Sequence, residues 1–252
     1  VHTWQDWCNI YGGIAALIAG SDKVILSGRT LPPIMKSRLQ ARSGRSYQQA
    51  YKLLLGEENV SMVHNSYSGR KEYSLWLDQK IEDSSVIHNC VDSGFQKVVR
   101  KRKSGLQKIG IPENSLVIGN VGRFSSDKRP WLFLAVAELI LSNGRGDGFS
   151  PELRDWLIQN GCDYGEIVES EEEFASEITD RVHFVMVGDG PQYHKAIRVV
   201  EESEILRERV HLTGFSPNVI DFLNMFDCFL LTSKIEGLPN VIIEAQYCGV
   251  PV

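Results

Sequence analysis

The sequence lacks a run of apolar residues near the ~20 needed to span a bilayer, and its first residues carry no basic, apolar, small-residue secretory signal. A soluble, cytoplasmic protein is the expectation. Cysteine is sparse and scattered: Cys8, Cys90, Cys162, Cys228 and Cys248 form no CxxC, which speaks against a zinc site and a disulfide scaffold. No GxxxxGK[ST] is present, so a P-loop is excluded, and no Asp-x-Asp pair offers itself to a metal-bound diphosphate. No internal repeat is visible. An initiating methionine is also missing, and the chain closes on the apolar Gly249-Val250-Pro251-Val252, so a segment of a longer protein is expected.

What is present is the composition of a globular α/β protein: 252 residues, 42% hydrophobic and 23% charged. Charge is divided unevenly. Residues 1–116 hold 16 Lys and Arg against 10 Asp and Glu, whereas residues 117–252 hold 11 against 22. Two units or one basic docking face are implied, and the acidic second half argues against a nucleic-acid grip along the whole length. Short β-branched runs at 24–26, 61–63, 85–87, 116–119, 184–187 and 228–231 read as buried strands. Amphipathic stretches near 10–20, 46–55, 68–80, 129–142, 192–203, 217–225 and 239–248 read as helices between them, the pattern of parallel sheets.

The pattern lapses in the basic run Lys97–Lys103 and at Gly105, Gly110 and Pro112, which places a boundary between domains at 1–104 and 105–252. The run suits a solvated helix face or docking on an anionic membrane surface. Residues 142–181, with 11 acidic and 3 basic residues, read as an acidic helical insertion on the surface, either solvated decoration or a partner-binding element.

Two glycine clusters follow expected strands. Gly119-Asn120-Val121-Gly122-Arg123-Phe124 ends a strand in a turn, with Arg123 and Lys128 ahead of a helix beginning near Pro130. Backbone N–H groups, a helix N-terminus and two cations can converge there on a phosphate. Val187-Gly188-Asp189-Gly190-Pro191 fails the dinucleotide fingerprint because Tyr193 stands where the third glycine belongs, so a nicotinamide enzyme is disfavoured. A plain strand-to-helix turn explains either cluster alone. In Glu236-Gly237-Leu238-Pro239-Asn240-Val241, Pro239 suits the first position of a helix whose N–H groups near Asn240 and Val241 can take a phosphate. Glu244 lies one turn further on. A carboxylate beside a phosphate is best used in accepting hydrogen bonds from vicinal hydroxyls, as on a ribose, and Glu236 can reach another hydroxylated group. Solvated glutamates are the plainer alternative.

Glu236 and Glu244, with seven residues between them and Gly-Leu-Pro directly after the first, resemble the glutamate-pair motif of the retaining glycosyltransferases of family 4. The resemblance extends in order to Gly122-Arg123 with Lys128, to Gly188-Asp189-Gly190-Pro191, to Val210–Phe215 and to Val86–Asp92, where Cys90 replaces the usual glycine. It implies a GT-B fold, two facing Rossmann-like domains, both incomplete in this chain. Transfer of a sugar from a nucleoside diphosphate sugar to a saccharide or lipid-linked hydroxyl is implied with it, with retention, in cell-surface polysaccharide or glycolipid synthesis.

By the same resemblance Arg123 and Lys128 face the donor pyrophosphate and Glu236 positions the transferred sugar. Gly122, Gly188, Thr213, Phe215, Gly237, Leu238, Pro239, Asn240, Val241 and Glu244 hold the donor. Many members place a histidine after the strand that here ends in Ser27-Gly28-Arg29; Arg29 is its candidate substitute, and His2 is a second candidate on the acceptor side, with a packing role as its alternative. No cofactor and no essential metal are expected, nor a nucleic-acid partner; peripheral contact with the inner face of a membrane is compatible. A GT-B epimerase or phosphorylase and a non-catalytic nucleotide-sugar-binding relative are the alternatives.

Overall fold

The computed structural model describes residues 1–33, 38–82, 85–91, 102–142, 149–162 and 176–252. They fold into two compact units, Val1–Cys90 with Ile235–Asn240, and Val91–Lys234 with Val241–Val252. The division falls after Cys90, not at the expected 104/105. The physical reason is that Arg102, in the helix Arg102–Lys108, bonds the Ser115 carbonyl and Asp227, and Leu106 is fully buried in the second unit's core.

The first unit runs β1 (His2–Trp4), α1 (Asp6–Ile18), β2 (Val24–Gly28), α2 (Arg38–Leu54), β3 (Val60–His64) and α3 (Tyr67–Leu77). Its parallel sheet has the order β1-β2-β3. Val24, Leu26 and Met62 pack against Tyr51, Leu54, Tyr73 and Trp76, which is why β2 reads as a continuous apolar run. Asn9, fully buried, accepts from Thr3 Oγ1 and donates to the Ser27 carbonyl and the Tyr51 hydroxyl, so one satisfied amide ties both strands to both helices. α1 starts four residues before the expected position because Asp6 is held by the hydroxyls of Tyr51 and Tyr73. The expected strand at 85–87 is a single parallel bridge from Val86 to His64; Ser85 is turned back onto the Glu82 carbonyl and Ile87 is exposed.

The second unit contains α4 (Arg102–Lys108), β4 (Leu116–Val121), α5 (Pro130–Leu141), α6 (Pro151–Gln159), α7 (Ser176–Thr179), β5 (Val182–Val187), α8 (Tyr193–Glu202), α9 (Glu204–Arg207), β6 (Val210–Leu212), α10 (Val219–Leu223), β7 (Cys228–Phe229) and α11 (Asn240–Tyr247). The parallel sheet order is β6-β5-β4-β7. Both faces are covered. Phe184 and Met186 face Phe133, Leu134 and Val199 on one side, and Val185 and Val187 face Leu223, Phe226 and Ala245 on the other. Every residue of β5 is buried, as a central parallel strand requires.

The surface reading of 142–181 needs correction in its described part. Phe149, Leu153, Trp156 and Leu157 are buried in the main core, and the rings of Trp131 and Trp156 meet in a tilted contact with centroids 5.7 Å apart. Glu138 on α5 is itself buried and accepts from Ser150 N–H, Ser150 Oγ and Ser203 Oγ, anchoring the entry to α6. Residues 143–148 and 163–175 of that stretch, most of the basic run (97–101), and Asp92 lie outside the described residues. No helix among the described residues is long and apolar enough to cross a membrane, and among them no disulfide joins the cysteines.

Candidate functional site

In the second unit the chain runs outward from β4 through β5 to β6, then returns to place β7 on the other side of β4. The switch point of this sheet therefore lies between β4 and β7, and ligands of open parallel sheets sit at the strand carboxyl ends near such a point. The loops after β4, β5 and β6 are joined there by backbone bonds. Gly122 N–H donates to the Val187 carbonyl at 3.0 Å, Phe124 N–H to Asp189 at 3.0 Å, and Gly188 N–H to Gly214 at 2.8 Å. Glycine is required at the closest approaches: Gly188 has φ +137°, and a Cβ on it would stand 1.9 Å from the Gly122 carbonyl oxygen.

A cavity of about 480 Å³ opens over these loops, lined by Gly122, Arg123, Gly188, Asp189, Phe215 and Ser216 among others. Arg123 is exposed, and Phe215, 77% exposed, presents its ring at the rim. Thr213 stands beside it, its N–H donating to the Met186 carbonyl. Four of the sequence candidates, Gly122, Arg123, Gly188 and Phe215 (with neighbouring Thr213), are thus brought to one place. Asp189 turns inward on its own loop, accepting from Gly190 N–H at 2.6 Å.

Lys128 lies in the loop after β4, half-buried, and this loop is stitched to the loop after β7 across the switch point. Thr232 Oγ1 donates to the Lys128 carbonyl at 2.9 Å and Lys234 N–H to the Asp127 carbonyl at 2.7 Å. Arg129, which sequence reasoning passed over, bonds the Thr232 and Ser233 carbonyls and adopts φ +50° to begin α5 at Pro130. The only sequence signal was its place before a proline at a helix start. On α11, Val241 and Glu244 are half-buried, and burial raises the Glu244 carboxyl above its ordinary pKa. The helix begins at Asn240, so Pro239 immediately precedes it instead of occupying its first position.

Gly237, Leu238, Pro239 and Asn240 group with the first unit, together with Glu236, which is half-buried. There the hub is Asn89, whose role the sequence did not reveal. Its Nδ2 donates to the Leu238 carbonyl at 2.8 Å and to Asn240 Oδ1 at 2.7 Å, and its Oδ1 accepts from Arg29. A Cβ at Gly237 would lie 2.6 Å from the Arg29 carbonyl oxygen, so the glycine is set by close approach. The Arg29 guanidinium sits 4.4 Å from the centroid of Trp4. His2, Arg29 and Asn240 line one cavity of about 410 Å³. Among the described residues no group of three His, Cys, Asp or Glu side chains is placed to hold a metal ion.

Residues 168–252 match the family described as glycosyl transferases group 1. Over 99% of its length the chain is 29% identical to the Vi polysaccharide biosynthesis protein VipC/TviE of Salmonella typhi, covering 37% of that protein. It is 27% identical over its whole length to a UDP-Gal:alpha-D-GlcNAc-diphosphoundecaprenol alpha-1,3-galactosyltransferase of Escherichia coli, covering 56% of it. The chain thus spans about half or less of the length of these curated relatives. Among solved structures, Anabaena Alr3699/HepE in complex with UDP and glucose superposes with a TM-score of 0.66 at 18% identity, over all of this chain and 58% of that one. With such neighbours the fold is of the GT-B type, built from two Rossmann-like sets with parallel sheets, and its segment 168–252 matches glycosyl transferases group 1.

Proposed function

We propose that the chain is part of a glycosyltransferase that moves a sugar from a nucleoside diphosphate sugar to an acceptor hydroxyl with retention of configuration, in the assembly of a cell-surface polysaccharide or glycolipid. The observation that carries this reading is the carboxyl edge of the second unit, where glycine loops, Arg123 and the exposed Phe215 ring surround one cavity at three strand ends. Backbone N–H groups and a cation suit a diphosphate, and an exposed aromatic ring suits a base. The acceptor is a saccharide hydroxyl, free or lipid-linked; a lipid-linked one would bring the protein to a membrane surface.

In this reading the bond from the sugar's anomeric carbon to the phosphate oxygen breaks with its electron pair leaving on the phosphate. The acceptor oxygen bonds to the same face, and its proton passes to the departing phosphate oxygen. Arg123 and Lys128 neutralise the charge that develops there, the kind of preorganised electrostatic contribution that is usually the largest in catalysis. Glu236 positions the transferred sugar, and Glu244 accepts from ribose hydroxyls, which offsets the burial that raises its pKa. No metal is needed for these steps.

The test is Lys128→Ala in the full-length protein, which should raise the barrier by roughly 2 to 4 kcal/mol, the scale for losing one preorganised donor. Activity within threefold of wild type sinks the assignment. Product analysis with and without an acceptor separates transfer from epimerisation and phosphorolysis, and an inverted anomeric centre would remove retention.

A further inference from the structure

The turn Glu236–Asn240 has few backbone bonds to hold its shape. Among the described residues the N–H groups of Gly237 and Leu238 donate to no backbone carbonyl. Close approach confines the turn at Gly237, where a Cβ would lie 2.6 Å from the Arg29 carbonyl oxygen and 3.0 Å from Asn65 Oδ1. Hydrogen bonds reach it from the half-buried Asn89, whose Nδ2 donates to the Leu238 carbonyl at 2.8 Å and to Asn240 Oδ1 at 2.7 Å. Asn89 itself stands on a fixed base. Val86 bridges to His64, Ile87 N–H donates to the His64 carbonyl at 2.8 Å, and His88 Nδ1 donates to the Asn65 carbonyl at 3.0 Å.

The neighbours of this amide decide which way it points. Turned over, it would set its N–H donors against the Arg29 guanidinium and its oxygen against the Leu238 carbonyl, two repulsive contacts. As placed, its oxygen accepts from Arg29 and both of its N–H donors are committed. A side chain with both donors committed has none left for a substrate, so its effect on the chemistry passes through the groups it holds. A carbonyl satisfied by a side chain also leaves the N–H groups of the same turn unengaged, which is the state a polar ligand requires of them.

We infer that Asn89 is a positioning residue for the transfer reaction. It fixes the Glu236–Asn240 turn so that the Glu236 carboxylate and the N–H groups of Gly237 and Leu238 meet the transferred sugar in a productive arrangement. The inference rests on the glycosyltransferase reading and adds to it a residue that acts through the turn. A shift of about 1 Å in groups that orient a reactant can cost roughly a hundredfold in rate.

The test compares the full-length wild type with Asn89→Asp and Asn89→Ala. Aspartate keeps the size and an acceptor for Arg29 but loses both donors; alanine loses all three bonds and adds no charge. Calorimetry is run with UDP and with GDP, and nucleotide release is followed from UDP-glucose, UDP-galactose and GDP-mannose. Both variants should bind the bare nucleotide within threefold of wild type, since Arg123 and the glycine loops are untouched. For the sugar nucleotide that wild type turns over fastest, kcat should fall at least tenfold while KM changes less than threefold. Asn89→Gln, which carries both donors on a longer stem, should recover part of that kcat. A kcat within threefold of wild type in Asn89→Asp overturns the inference, as does a change confined to KM. So does a loss shared equally by nucleotide binding and turnover, the signature of a role in folding alone, or a fall in Asn89→Asp that Asn89→Ala does not share, which would be an effect of charge. If wild type binds neither nucleotide and releases none, it is the glycosyltransferase reading that fails. Hydrogen exchange at Gly237 and Leu238 then still decides whether Asn89 fixes the turn: exchange at least tenfold faster in Asn89→Asp upholds it, and an unchanged rate overturns it.

Discussion

The two units build their carboxyl edges from different materials. In the second, the loops after β4, β5 and β6 meet backbone to backbone, through Gly122, Gly188, Gly190 and Gly214, with side chains kept out of the contact. In the first, loops meet through amide side chains: Asn65 Nδ2 donates to the Arg29 carbonyl and Asn89 joins Arg29 to Leu238 and Asn240. A backbone-lined edge leaves N–H groups and space for a phosphate. An edge lined by amides, a guanidinium and imidazoles leaves directional groups that distinguish one hydroxylated ligand from another. In the glycosyltransferase proposed above, the common part of the substrate would be read on the second unit and the variable part on the first.

The largest effect is expected at Gly188, where an alanine must accommodate both φ +137° and a carbonyl oxygen at 1.9 Å. Gly188→Ala should cost about 3 kcal/mol or more in urea unfolding, the upper range for strained backbone. A loss under ~1 kcal/mol would mean that the glycine contact is dispensable. Next come the carboxylates. Glu244→Ala should weaken free nucleoside diphosphate and donor alike by ~1 to 3 kcal/mol, whereas Glu236→Ala should spare the bare nucleotide. Equal losses for the bare nucleotide in calorimetry would end that division of labour.

Asn89→Ala should destabilise by about 1 to 2 kcal/mol, since it deprives two acceptors and the Arg29 donor of their partner at once. Because Asn240 and Leu238 lose their tie, protease protection near 237–240 should fall more than elsewhere. The smallest effect is in pH. His64 has a folded pKa of about 4 against an unfolded value near 6.5, so its contribution to stability is complete above pH 6.5 and is lost as pH falls towards 4. His183 in the second unit is lowered to about 4 in the same direction, chiefly by burial and then by His211 and Arg209. The acid limb should therefore steepen by up to about 1.4 kcal/mol per pH unit for each histidine. His64→Leu should remove one proton from that slope in unfolding titrations, and an unchanged slope would contradict the assignment.

Much of this was legible in local sequence. The strands at 24–26, 61–63, 116–119 and 184–187 were legible from their β-branched and apolar residues, buried throughout along β5 and alternating buried with half-buried along β3 and β4, and Gly122 and Gly188 stood out because turns after such strands need glycine. Other features were not legible. Residues 85–87 have strand composition but make one bridge, because pairing depends on a neighbour and not on propensity. The acidic stretch hid Phe149, Leu153 and Trp156, whose burial outweighs the charge around them. Asn89 looks like any turn residue until its three partners, two of them about 150 positions away, are placed around it.

The sequence by itself determined the alternation of elements, because hydrophobic period and turn chemistry are local properties of the chain. It also carried the order of the glycine clusters and glutamates. Tertiary structure alone decided that Gly237–Asn240 docks on Arg29 and Asn89, that Arg129 ties the β4 and β7 loops together, and that His64 is buried against Tyr73 with no hydrogen-bond partner among the described residues. Those are contacts between residues far apart in the chain, and the physical quantity that selects them, the cost of burying a polar group without a partner, exists only once the chain has closed around it.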